Sequence, residues 1–193
     1  VPTLSLPDDG VAASIPLEPD PEIFVQGASA TQLTFVGMNT TSISTTTYAL
    51  PYKKQGKKIY IQFSQALTPS LEVHIPQKGQ LTVMFTEGNV TVNNLQGPAN
   101  ITLASGTIHV KSFTPHGTSI LQTKSGTIDV TLAKAASCSL TAQTSFGTIV
   151  SSYPTLHEKR SGETDKASGS INHGTGAILN LSVDYGSITI GPT

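Results

Sequence analysis

Between Leu81 and Ile190 apolar and polar residues alternate in short runs, and each run turns on a glycine. The phrases read Gly88-Asn-Val-Thr-Val, Gly106-Thr-Ile-His-Val, Gly126-Thr-Ile-Asp-Val, Gly147-Thr-Ile-Val-Ser and Gly186-Ser-Ile-Thr-Ile, with a weaker copy at Gly169-Ser-Ile-Asn-His. Side chains alternate across a strand, so the second and fourth residues after each glycine share one face. This predicts an inward column of Val90, Ile108, Ile128, Ile149, Ile171 and Ile188. A second column holds Val92, Val110, Val130, Ser151, His173 and Ile190. Another alternating stretch precedes the glycines, as in Leu81, Val83 and Phe85 or Leu179, Leu181 and Val183. Each unit is therefore strand, glycine corner, strand and turn.

One such unit cannot bury its apolar side alone, and a recurrence of about 18–22 residues is the mark of a stacked solenoid. An antiparallel sandwich would alternate in the same way. The solenoid is favoured because equivalent residues return at one place in every unit. Upstream, Ile23 to Ile75 is strand-like without being repetitive, with candidate strands at Ile23–Val25, Gln32–Val36, Ser42–Tyr48, Lys58–Phe63 and Leu71–Ile75. The expected organisation is a Pro-rich acidic arm over 1–23, an N-terminal β region over 24–80 that caps the solenoid, and solenoid repeats over 81–193. A polar insertion at about 151–169 interrupts the repeats. The arm, with Pro16, Pro19 and Pro21 beside Glu18, Asp20 and Glu22, reads as a spacer or an extended segment lying on the body. Its acids lack the spacing of a calcium loop.

Composition supports an all-β reading. Ser and Thr are about a quarter of the 193 residues, aromatics are 6%, and Trp is absent, so the core has to be aliphatic. A formal net charge of −1 gives no electrostatic case for nucleic acid. No apolar run is long enough to span a membrane. No signal peptide is evident, and Val1 is expected to be a processed or trimmed end. The single cysteine, Cys138, leaves no internal disulfide or cysteine-based zinc site and reads as a partly buried thiol.

The order Leu71-Glu-Val-His-Ile-Pro76, Leu81-Thr-Val, Gly88-Asn-Val-Thr-Val and the later Ser-Gly-Thr-Ile phrases resembles the DUF4097 group of bacterial adhesin-like proteins. That group is related to the head-GIN autotransporter adhesin domains. The resemblance spans roughly Gln32 to Ile190 and implies a right-handed parallel β-helix-like solenoid in an exported protein. It carries no known catalytic residues. The sequence departs from the pattern between Ser151 and Gly169.

Alignment of the repeats puts Thr91, His109 and Asp129 in one outward row. Such a row invites a nucleophile–base–orienter reading. The expected face is open, with no evident oxyanion donors or second carboxylate, and Val150, Asn172 and Thr189 are expected to continue the row. The residues after each glycine, Asn89, Thr107, Thr127, Thr148, Ser170 and Ser187, lack the regular Thr-x-Thr of an ice-binding face and read as cross-strand hydroxyl pairs. His74, His109, His116, His157 and His173 lack metal-ligand spacing. The lysines of Lys53-Lys-Gln-Gly-Lys-Lys58 read as the soluble tip of a hairpin. Asn39, Asn89, Asn100 and Asn180 begin N-x-Ser/Thr triplets, which matter only in a glycosylating pathway.

No catalytic, cofactor-binding or metal residue is therefore expected. The function expected is that of a non-enzymatic, extracytoplasmic adhesion or envelope domain. It would act on a glycan or a surface protein through a broad face or through the insertion, which holds His157, Glu158, Lys159, Arg160, Glu163, Asp165 and Lys166. A β-helix carbohydrate enzyme and a self-assembling structural subunit are the alternatives.

Overall fold

The computed structural model describes residues 9–45, 49–67, 70–174 and 176–193. Among these the chain forms β1 (Asp9–Ala12), β2 (Ser14–Pro16), β3 (Glu22–Met38), β4 (Ser42–Thr45), β5 (Leu50–Gln55), β6 (Lys58–Gln62) and β7 (Leu71–Pro76). There follow β8 (Gln80–Asn93), β9 (Ala99–Phe113), β10 (Thr118–Leu132), β11 (Cys138–Ser151), β12 (Leu156–Ser161), β13 (Thr164–Ile171) and β14 (Ile178–Pro192). The strand read over Ser42–Tyr48 is seen as β4, and its last three residues lie outside the described ones, as do Pro2, Pro7 and Asp8 of the arm. The described part of the arm joins the sheet: β1 pairs with β5, and β2 with β4.

The long strands are parallel and stack in the order β3-β8-β9-β10-β14-β11. Each is bent into two arms. Unbent, β8 would extend about 45 Å, yet the residues 94–98 that return the chain to the start of β9 reach only roughly 20 Å. The bend lies at the glycine, and burial changes phase there. In β10, Ser119, Leu121 and Thr123 are buried before Gly126, and Ile128, Val130 and Leu132 after it. The two arms thus face one another across a shared aliphatic core.

The corner explains why glycine recurs. Gly88, Gly106, Gly126 and Gly186 hold φ between 132° and 146°, a region that L side chains rarely enter. Each also lies against the backbone of the preceding corner: Gly88 on Ala30, Gly106 on Gly88, Gly126 on Gly106, Gly186 on Gly126 and Gly147 on Gly186. No room is left there for a Cβ.

The columns form with two corrections. The first runs Leu33, Val90, Ile108, Ile128, Ile188, Ile149, and the second Phe35, Val92, Val110, Val130, Ile190, Ser151. Strand β14 is thus inserted between β10 and β11 rather than following β11. Ile171 and His173 belong to neither column. Gly169-Ser-Ile lies in β13, which runs antiparallel to β11 and sets Ile171 opposite Cys138. Its glycine has a different reason to be glycine: a Cβ there would strike the Thr155 carbonyl.

The N-terminal region is less irregular than its sequence. Strand β3 is a full member of the stack, with Ala30 at its corner and a register shift between Ala30 and Leu33. Strands β6 and β7 pair with its first and second arms, so together they make up one further coil. The lysine turn is a hairpin between β5 and β6 with Gly56 at φ 60°.

The polar insertion is not a loop. It forms the antiparallel hairpin β12–β13, which closes the β11 end of the sheet. Its outer strand carries exposed His157, Glu158, Lys159 and Arg160, charges that discourage edge-to-edge pairing. Buried Asp165 reaches from the hairpin to the second arm, where its Oδ2 accepts a hydrogen bond from the Ile149 amide at 3.1 Å. Asp165→Ala would leave that buried N–H without a partner and should cost about 1–3 kcal/mol. Asp165→Asn keeps an acceptor and should cost less. Thermal melting of both variants checks this, and an unchanged melting temperature in Asp165→Ala would contradict it. Cys138 is fully buried opposite Ile171, and burial pushes its thiol up to about 11.

Candidate functional site: the outer face of the first arm

The strand register places the outward residues of the first arm in two straight rows. From β6 to β11 the first reads Tyr60, Phe24, Thr82, Asn100, Ile120, Asn180, Thr141. The second reads Gln62, Gln26, Met84, Thr102, Gln122, Ser182, Gln143. None of these fourteen side chains is ionisable in the neutral pH range. Seven strands at ordinary spacing make the face about 29 Å long. Charge flanks the rows: Lys53 beside Tyr60 and Lys166 beside Gln143 at the two ends, Lys124 and Asp184 along one side, and Glu22 and Lys58 along the other.

At the β6 end Phe24 and Tyr60 stack, with ring centroids 5.0 Å apart and 13° between planes. Both are half-buried. Three adjoining depressions mark this end of the face. One of about 430 Å³ lies against Tyr60, Gln62, Gln26, Tyr52 and Lys53. One of about 150 Å³ lies between Phe24, Tyr60, Thr82 and Met84. One of about 570 Å³ runs from Gln26 and Gln62 past Met84 and Thr102 to Gln122 and Lys124. Gln26 lines all three. Primary amides both donate and accept, and hydroxyls do so with adjustable direction. Flat aromatic faces add apolar contact. The arrangement suits a ligand rich in hydroxyls and poor in charge.

The second arm carries the other row. Thr91, His109 and Asp129 stand side by side, as the repeat spacing predicts. Thr189 and Val150 continue the row beyond Asp129, whereas Asn172 lies outside it, after β13. His109 Nδ1 lies 3.5 Å from Asp129 Oδ2, with both side chains more than a third exposed. Thr91 Oγ1 accepts a hydrogen bond from Gln32 Nε2 at 2.9 Å, and no hydrogen bond joins it to His109. A nucleophile–base pair is therefore not assembled in this row.

The hydroxyl row after the corners runs Asn89, Thr107, Thr127, Ser187, Thr148. Ser170 is absent from it because it pairs with Ser139. Of the histidines, His74 bonds Glu72 Oε1 at 2.7 Å, and His116 Nδ1 meets the Thr114 carbonyl oxygen at 3.2 Å. Among the described residues no His, Cys, Asp and Glu side chains gather as a metal site would need. No helix among them is long and apolar enough to cross a membrane. A second exposed aromatic stack, Phe146 on Tyr185 at 5.0 Å and 6°, sits on the corner ridge next to Ser125, away from the two rows.

The Phe24–Tyr60 platform carries no signal in the sequence. Its rings are far apart along the chain, and β3 lacks the corner glycine that marks the other coils.

No curated protein matches this chain. A crystal structure from Clostridium sporogenes, provisionally named a cell adhesion protein, shares the fold with a TM-score of 0.65 at 13% sequence identity. The alignment covers 96% of this chain and 100% of that one. The profile of the Toastrack DUF4097 family matches residues 70–190. The matched segment takes in β8 to β11 and β14 with their stacked glycine corners, more than half of the molecule, and the chain belongs to the Toastrack DUF4097 family.

Proposed function

We propose that this is a non-enzymatic, extracytoplasmic binding domain that works in adhesion or in the cell envelope. It holds a surface ligand against the outer face of its first arm. The observation that carries the reading is the uncharged double row of amides, hydroxyls and apolar side chains that ends on the Phe24–Tyr60 stack. The cell-adhesion name of the structural neighbour supports it, and membership of the Toastrack DUF4097 family fits it. Location at the cell surface, in the periplasm or outside the cell follows from the same role. The coil is taken as right-handed, the hand of nearly all parallel crossovers.

A rigid face built on paired strands binds polymers through many weak contacts in series, with little ordering cost in the protein. Catalysis needs more: groups converging on one reacting atom in a site that excludes water. Among the described residues the His109–Asp129 pair, each side chain more than a third exposed, favours a carbohydrate-active enzyme as the second reading.

The binding reading predicts that the double variant Phe24→Ala, Tyr60→Ala loses most of its retention on immobilised surface polysaccharide, about tenfold or more, while folding normally. His109→Ala should be retained as the unmodified protein is. Retention of the double variant equal to the unmodified protein would place the ligand elsewhere.

A further inference from the structure

We propose that the face takes a neutral, extended, β-linked glycan laid across the strands, one sugar to each coil, with an end sugar packed against the Phe24–Tyr60 stack. This deepens the binding reading above and rests on it. Three observations carry it.

The first is periodicity. The rows are in strict register across seven strands, so outward positions recur at the strand spacing, about 4.8 Å. An extended β-linked sugar chain advances by a step close to this, whereas a coiled α-linked chain drifts out of step. The second is charge. The rows themselves hold no ionisable group, and the charges that flank them, Lys124 with Asp184 and Lys58 with Glu22, are of both signs, so a uronic acid polymer would gain no net counter-charge along them and would exchange good hydration for neutral partners. The third is the distribution of chemistry. Gln26, Gln122 and Gln143 on one row and Asn100 and Asn180 on the other present donor and acceptor together, as vicinal hydroxyls require. The aromatic stack lies at one end, where it would give a terminal sugar apolar contact.

The test is calorimetric titration with β-1,4-linked neutral oligosaccharides of about two to about eight sugars, beside α-linked malto-oligosaccharides and acidic oligogalacturonides. Affinity should rise at least tenfold from the shortest chain to about six sugars and level off near seven, when the face is filled. It should change little with salt. Tyr60→Ala should cut affinity for the long chains about tenfold and Tyr60→Phe much less. Tyr185→Ala, which disturbs the more exposed stack on the ridge, should leave it unchanged. Thermal melting establishes that each variant is folded.

Affinity independent of length, equal binding of α-linked or acidic chains, or a loss on Tyr185→Ala in place of Tyr60→Ala would overturn the proposal. If an acidic or α-linked polymer is bound in a Tyr60-dependent way, the adhesion reading stands and this one falls. If no glycan of any class is retained, both fall.

Discussion

Gly126→Ala should be among the most damaging single-methyl additions to this molecule. Gly126 sits at φ 143°, and its added Cβ would lie far inside van der Waals contact distance of the Gly106 carbonyl oxygen. The neighbour cannot yield, because Gly106 is itself pressed on Gly88 and Gly186 is pressed on Gly126. Backbone strain of about 1–3 kcal/mol and an overpacking cost of about 1–3 kcal/mol act together, so a loss of about 3 kcal/mol or more is expected. For a domain of this size that lowers the melting temperature by roughly 6–12 °C. Gly56→Ala is the matched control. It also has positive φ, at 60°, but nothing lies within 4 Å of its added methyl. It should cost about 1 kcal/mol. Equal, small losses in both variants would show that the corners are not close-packed.

Ile128→Asp should do still more harm, and its neighbour should not. Ile128 is fully buried, between Ile108 and Ile188. A carboxylate there has no partner within the aliphatic column, and such burials cost well over 4 kcal/mol. The variant should be severely destabilised, with its denaturant midpoint shifted far down or its transition lost. Asp129 is one residue further on and points outward beside His109 and Thr189. Asp129→Ala should change stability by no more than about 0.5 kcal/mol. Denaturant melts of the two variants read the register of the entire stack, because a slip of one residue would exchange their effects.

Much of this architecture is legible in the sequence, and the reasons for success and failure are physical. The columns through Val90, Ile108 and Ile128 could be read because alternation and glycine spacing fix register wherever one face is buried. The row of Thr91, His109 and Asp129 followed from the same register. The position of β14 could not be read. The segments around Gly126, Gly147 and Gly186 present nearly the same small corner and the same isoleucine, so any of them stacks acceptably on any other. What decides is the returning chain: β12 and β13 occupy the far side of β11, and β14 takes the place between β10 and β11.

Gly169-Ser-Ile was misleading for a related reason. Three residues of a degenerate phrase do not distinguish a corner from an antiparallel strand. Strand β3 was hidden because Ala30 stands where the other coils have glycine and its register shifts beyond that point. The candidate site suffers most from this, since its aromatic end is built from β3 and β6.

The same geometry separates the two functional readings. The uncharged face of the first arm offers many equivalent contacts and no group to move a proton. The second arm has the His109–Asp129 pair, exposed and without a bonded nucleophile. The most direct measurement is to incubate the protein with a panel of neutral and acidic polysaccharides and to follow retention and chain length together over time. The account predicts that neutral β-linked polymers are retained and that their length does not change. Time-dependent shortening that disappears in His109→Ala or Asp129→Ala would contradict it and make the molecule an enzyme.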